Sequence, residues 1–179
     1  MIYLDTSTCV GLLRGDIKVN PAVWRNYSPK EFGIPVIVES ELIIAAAQSG
    51  HPEENISAVR QFLLPFPKVP YDSKCCELHC YVRLWLEASG TPTGTNTLVL
   101  AAMSLRYDAT LLTRVPNVFR RIPEMKVVEC GDDFATSLAM CQRRRVMSRR
   151  IAMTSHFEDS CGYVRATYRT PSLWSIPQR

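Results

Sequence analysis

Short candidate strand runs, several of them apolar or rich in β-branched residues, alternate along this chain with longer stretches of helical spacing, and that alternation constrains its fold most. The runs are residues 1–5, 34–38, 67–70, 109–113 and 126–129. A helix is expected to begin near Cys9, and Asn20-Pro21 reads as a cap followed by proline at the first helical position. Further helices are expected through Glu41, from Pro52 with Ile56, Val59, Phe62 and Leu63 on one face, and from Asp72 to about Ala88. Asn96 is a candidate cap for another, whose apolar face holds Leu98, Ala101, Ala102 and Leu105. Strands joined through helices pair in parallel, and a parallel sheet is covered on both faces. The expected class is α/β, with helices sandwiching a central parallel sheet of about five strands.

Where such strands end matters for function, because ligands bind at the carboxyl edge of open α/β sheets. The first run ends in Asp5, followed by the hydroxyl pair Thr6-Ser7. Glu41 opens the apolar helical run 42–47. Each has a structural reading beside the functional one: a strand-end Asp serves as a helix cap, and a Glu near a helix start favours the macrodipole. Of the other acids, Asp108 precedes its strand and belongs at the opposite edge, while Asp72 is explained as a cap.

The order of these pieces resembles the PIN-domain nucleases, and within them the VapC toxins of bacterial toxin–antitoxin pairs. The likeness runs from residue 1 to about 130 and includes Leu12-Leu13-Arg14-Gly15, Val69-Pro70-Tyr71-Asp72 and Gly90-Thr91-Pro92. That family carries a metal-binding carboxylate at four points. Asp5 within Leu-Asp-Thr-Ser matches the first and Glu41 within Ser-Glu-Leu the second. At the third, this chain reads Gly94-Thr95-Asn96-Thr97, with Thr97 where the acid is expected. At the fourth, Leu112-Thr113-Arg114-Val115 precedes Phe119, so Arg114-Val115 replaces a polar pair.

The resemblance implies a PIN-like α/β/α sandwich and a cytoplasmic toxin that cleaves RNA such as tRNA. It also implies a VapB-like antitoxin partner, a homodimer, and catalysis through Mg²⁺ or Mn²⁺ held by Asp5 and Glu41. Hard cations need oxygen ligands, and Mg²⁺ is often held by one or two carboxylates with waters completing the octahedron. Two acids suffice for a weak site. Thr97 and Val115 supply no charge, so weakened activity is expected, the alternatives being a catalytically silent module that binds RNA or a protein partner, or a decayed toxin. Arg114 has two readings: competition with a cation for Asp5 and Glu41, or contact with an RNA phosphate.

Charge divides the chain. Residues 1–130 hold 13 Lys and Arg against 13 Asp and Glu, whereas residues 131–179 hold 8 Arg against 4 acids. The expected organisation is a PIN-like domain over 1–130 and a basic C-terminal extension over 131–179, partly helical or disordered. The extension is expected to be dispensable for folding. The alternative is that Phe134, Leu138, Met140 and Cys141 dock on the body as a final helix, with a helical reading extending to Met153. No apolar run approaches the roughly 18 residues of a membrane span, and the start of the chain lacks a signal-peptide pattern. The seven cysteines are then read as reduced thiols. Cys75, Cys76, His79 and Cys80 share one helix at a spacing wrong for a zinc knuckle.

Overall fold

The computed structural model describes the backbone of residues 1–147 and the side chains of residues 1–143. Strand β1 (Ile2–Leu4) leads through helix α1 (Thr6–Arg14) and the short helix α2 (Pro21–Trp24) to β2 (Phe32–Pro35). Helices α3 (Val36–Ala47) and α4 (Pro52–Leu63) precede β3 (Lys68–Val69). Then come α5 (Ser73–Ala88), α6 (Thr95–Arg106), β4 (Thr110–Thr113), the short α7 (Pro116–Phe119), β5 (Lys126–Glu129) and α8 (Phe134–Met147). The five strands form one sheet in the order β3-β2-β1-β4-β5, and every pairing is parallel. The expected α/β class and strand number are present.

Neighbouring residues on a strand point to opposite faces, and Ile2, Tyr3 and Leu4 are all fully buried, as are Leu111 and Leu112. Both faces of the central strands are therefore covered. Strand order reverses between β1 and β4, where the chain leaves β1 toward β2 and later returns on its other side. The crevice outside the carboxyl ends at such a reversal is where open α/β sheets place their ligands. Asp5 and Thr113 flank it.

Three sequence expectations shift. The second strand, expected over 34–38, occupies Phe32–Pro35, and the β-branched stretch from Val36 starts α3. Gly33 fits the close pairing of this strand: a Cβ there would lie 2.8 Å from the Met1 sulfur and 2.9 Å from the buried Tyr3 ring. Helix α6 begins at Thr95 with Gly94 as its cap, which leaves Asn96 inside the first turn and free for another partner. The limit expected at residue 130 falls inside the packed body, since Phe134, Leu138 and Cys141 beyond it belong to the same core.

That last shift has a packing cause. Phe134, Leu138 and Cys141, at i, i+4 and i+7 of α8, are buried in the main core. The Phe134 ring stacks on Phe32 at 6.5 Å and lies 5.7 Å from Trp24, closing an aromatic cluster that also includes Phe66. Backbone bonds from Lys18 N to Asp132 O (2.7 Å) and from Phe134 N to Lys18 O (3.1 Å) fasten the start of the helix. Met140 is half-exposed and not part of this core. Of the two expectations for this stretch, docking describes α8. The readings for residues 148–179 lie outside the described residues. Cys75 is buried, which raises its thiol pKa to about 11, while Cys76 and Cys80 are exposed.

Candidate active site

Asp5 ends β1 and caps α1, its Oδ1 accepting from Thr6 N at 2.7 Å. Oδ2 accepts from two hydroxyls, Ser7 Oγ at 2.8 Å and Thr113 Oγ1 at 2.5 Å. Ser7 comes from the first turn of α1 and Thr113 from the end of β4, so strand pairing and helix start together build this carboxylate's surroundings. Asp5 itself is 6% exposed. A buried carboxylate is tolerable only with such donors around it.

Glu41 projects from the second turn of α3. Its Oε2 accepts from Thr6 Oγ1 in a short contact, and its Oε1 accepts from the Asn96 amide at 2.7 Å. Thr6 thus serves both acids, Asp5 through its backbone N–H and Glu41 through its hydroxyl. A continuous chain of hydrogen bonds runs Thr113–Asp5–Thr6–Glu41–Asn96, drawing β4, β1, α1, α3 and α6 to one point. Among the described residues there is no group of three or more His, Cys, Asp or Glu suited to a metal ion. The pair stands without a third acid.

The other two points fall in the same neighbourhood with different chemistry. Thr97 is half-buried and follows Asn96 in α6. Val115 follows β4 by two residues and is 56% exposed; it enters the network only by its N–H, which donates to Thr113 Oγ1 at 3.0 Å. Arg114 turns away from both carboxylates. Its backbone N–H donates to Ser7 Oγ at 3.1 Å, but its guanidinium reaches Asp132 at 3.4 Å and Asp16 at 4.0 Å. Asp108 pairs with Lys126, and Asp72 accepts from Cys75 N at 3.0 Å as the cap of α5.

Four contributors went unassigned in the sequence reading: Thr6, Ser7, Asn96 and Thr113. The hydroxyl pair directly after a strand-end carboxylate was the available signal for the first two. Asn96 was hidden by its competence as a cap, since the same amide serves either purpose.

A family model for the PIN domain matches residues 2–124. Ribonuclease VapC2 of Rickettsia felis is 30% identical over 130 residues, an alignment covering 70% of this chain and 95% of that protein. The tRNA(fMet)-specific endonuclease VapC of Salmonella typhimurium is 28% identical over 127 residues, covering 69% and 93%. The fold is similar to that in the crystal structure of VapBC2 from Rickettsia felis bound to promoter DNA, with a TM-score of 0.64 at 28% identity, covering 72% of this chain and 98% of that one. Helix α8 begins ten residues after the family match ends. The chain belongs to the PIN-domain family, matched over residues 2–124, and is a VapC-like member of it.

Proposed function

We propose that this chain is a VapC-like endoribonuclease of low turnover, using Mg²⁺ or Mn²⁺ held by Asp5 and Glu41. The observation that carries the reading is the convergence of the two carboxylates on Thr6 at the point where strand order reverses. The surrounding donors suit a hard cation: two carboxylates, three hydroxyls and an amide. Each carboxylate oxygen offers about two lone-pair sites. Asp5 Oδ2 has spent both on hydroxyls, while Asp5 Oδ1 and both oxygens of Glu41 keep one. A bound cation would activate water and offset charge on the phosphate. Ser7 and Thr113 fix the Asp5 carboxylate, and Thr6 and Asn96 fix that of Glu41, so the ligands need no rearrangement.

Thr97 and Val115 contribute no charge, which makes cation affinity and turnover low in this reading. RNA is the proposed substrate, with tRNA the first candidate because the Salmonella relative carries that specificity in its name. A VapB-like antitoxin, a homodimer and a cytoplasmic setting are proposed on the same family grounds. No helix among the described residues is long and apolar enough to cross a membrane. A second reading, a silent module that binds RNA or protein, is favoured by one observation: neutral donors already contact all four oxygens of the pair.

An RNA-cleavage assay with Mg²⁺ and Mn²⁺ separates the two. The natural chain is expected to cleave slowly and in a chelator-sensitive way, Asp5→Ala to lose that cleavage, and Thr97→Asp/Val115→Asp to exceed the natural chain. Retained RNA binding with no cleavage by either the natural chain or the double variant would establish the silent module.

A further inference from the structure

Arg114 is fixed at the site by its backbone and held away from it by its side chain. Thr113 before it touches Asp5, and its own N–H donates to Ser7. The guanidinium lies over α1, where Gly11 leaves room; a Cβ on Gly11 would come within 3.1 Å of Nη1. What holds it there is weak. The contacts to Asp132 and Asp16 are 3.4 and 4.0 Å long, and the two acids are 81% and 53% exposed. Exposed pairs of such length contribute little. A planar guanidinium matches the oxygens of a phosphate in a fork that neither carboxylate satisfies here.

The surface beyond Asp132 continues the theme. Gly131 and Asp133, on either side of it, line an open groove of about 690 Å³ between β5 and α8. Arg120 and Arg143 stand in the same wall, with Glu129 pairing Arg120 at 3.1 Å. Beyond Asp132 the groove thus offers two further guanidinium groups, with the carboxylates of Glu129 and Asp133 beside them. Both walls of the groove, β5 and α8, lie beyond the residues matched by the family model.

We propose that Arg114 is a substrate-binding residue that exchanges its pairs with Asp16 and Asp132 for an RNA phosphate next to the Asp5–Glu41 site. This deepens the ribonuclease reading and rests on its RNA substrate. The two aspartates are competitors of the phosphate, and that gives the proposal a sign that a purely structural tie lacks. The test is fluorescence anisotropy of an end-labelled RNA stem-loop against the full chain, over a salt series, with thermal unfolding run beside it. Arg114→Ala is expected to weaken binding about tenfold and to lower the slope of log affinity against log salt by about one. Arg114→Lys, which keeps the charge but loses the fork, should fall between. Asp16→Asn/Asp132→Asn should bind more tightly than the natural chain.

Unchanged affinity and slope in Arg114→Ala, or weaker binding by the aspartate double variant, would overturn the proposal while leaving RNA binding intact. Should Arg114→Ala fail to fold, the lysine variant and the aspartate double variant decide alone. No binding by the natural chain at low salt would overturn the RNA reading itself, and this inference with it.

Discussion

The carboxyl edge of the sheet has two sides built on opposite principles. Around Asp5 and Glu41, negative charge is held by neutral donors, in contacts of mostly 2.5 to 2.8 Å, with Asp5 nearly out of solvent. Around Arg114, positive charge on a side chain 35% exposed is held by more exposed acids in long contacts. Short bonds to buried groups fix geometry, and long bonds between exposed charges can be exchanged at small cost. The first side suits ligands that must not move during chemistry, and the second suits a group that engages a substrate on arrival. Both sides hang on adjacent residues, since Thr113 serves Asp5 and Arg114 follows it.

The sharpest way to break this contrast is to remove the acid on the rigid side. Asp5→Asn keeps the shape and deletes the charge, so cleavage should drop by more than the roughly 10–100-fold typical of losing an outer partner of a metal ligand. A smaller loss would mean that the rigid side does not carry the chemistry. The next effect concerns what supports the exposed side. Phe134→Ala should cost about 3–5 kcal/mol through the cavity left in the aromatic cluster, lowering the unfolding midpoint by roughly ten degrees. A chain ending at Asp133 should lose at least as much, because Leu138 and Cys141 leave with Phe134. A midpoint like that of the full chain would show that α8 merely rests on the body.

Asn96→Ala and Thr6→Val each strip one donor from Glu41. Each should weaken Mn²⁺ binding about tenfold, the lower end of what outer partners contribute, with little change in the unfolding midpoint. Equal affinity would place the rigidity of Glu41 elsewhere, in the packing of α3. The smallest expected effect is one of pH. Hydrogen bonds from the Thr136 hydroxyl, and then from the N–H groups of Thr136 and Ala135, hold the Asp133 carboxyl below its ordinary range. A depressed folded pKa contributes stability that is present above the unfolded value of about 3.9 and is lost as pH falls through the folded value. Asp133→Ala should therefore narrow the stability difference between neutral pH and pH values below about 4, measured by urea unfolding.

Much of the sheet was legible in the sequence because a parallel strand buried on both faces writes itself as an unbroken apolar run. Residues 1–4 are such a run and β1 lies within it, whereas the edge strand β5 shows only Val127-Val128 between Lys126 and Glu129. The second strand was displaced because Val36, Ile37 and Val38 have strand-like side chains yet begin a helix. Asp5 and Glu41 were legible from the residues that flank them. Asn96 was not, because the partner that claims its amide lies 55 residues away. Arg114 was read with its neighbours in the chain, and its actual partners come from the end of α1 and from the loop after β5. Helix α8 was obscured by its arginines, which advertise a solvated surface while Phe134, Leu138 and Cys141 fill the core beneath.

Mn²⁺ binding, read by electron paramagnetic resonance on the full chain, tests most directly whether Asp5 and Glu41 hold the metal. The natural protein is predicted to take up one weakly bound ion, Asp5→Asn to lose it, and Thr97→Asp/Val115→Asp to hold it more tightly. Equal binding by the natural chain and Asp5→Asn would contradict the central claim, because it would place the ion away from the two carboxylates that Thr6 joins.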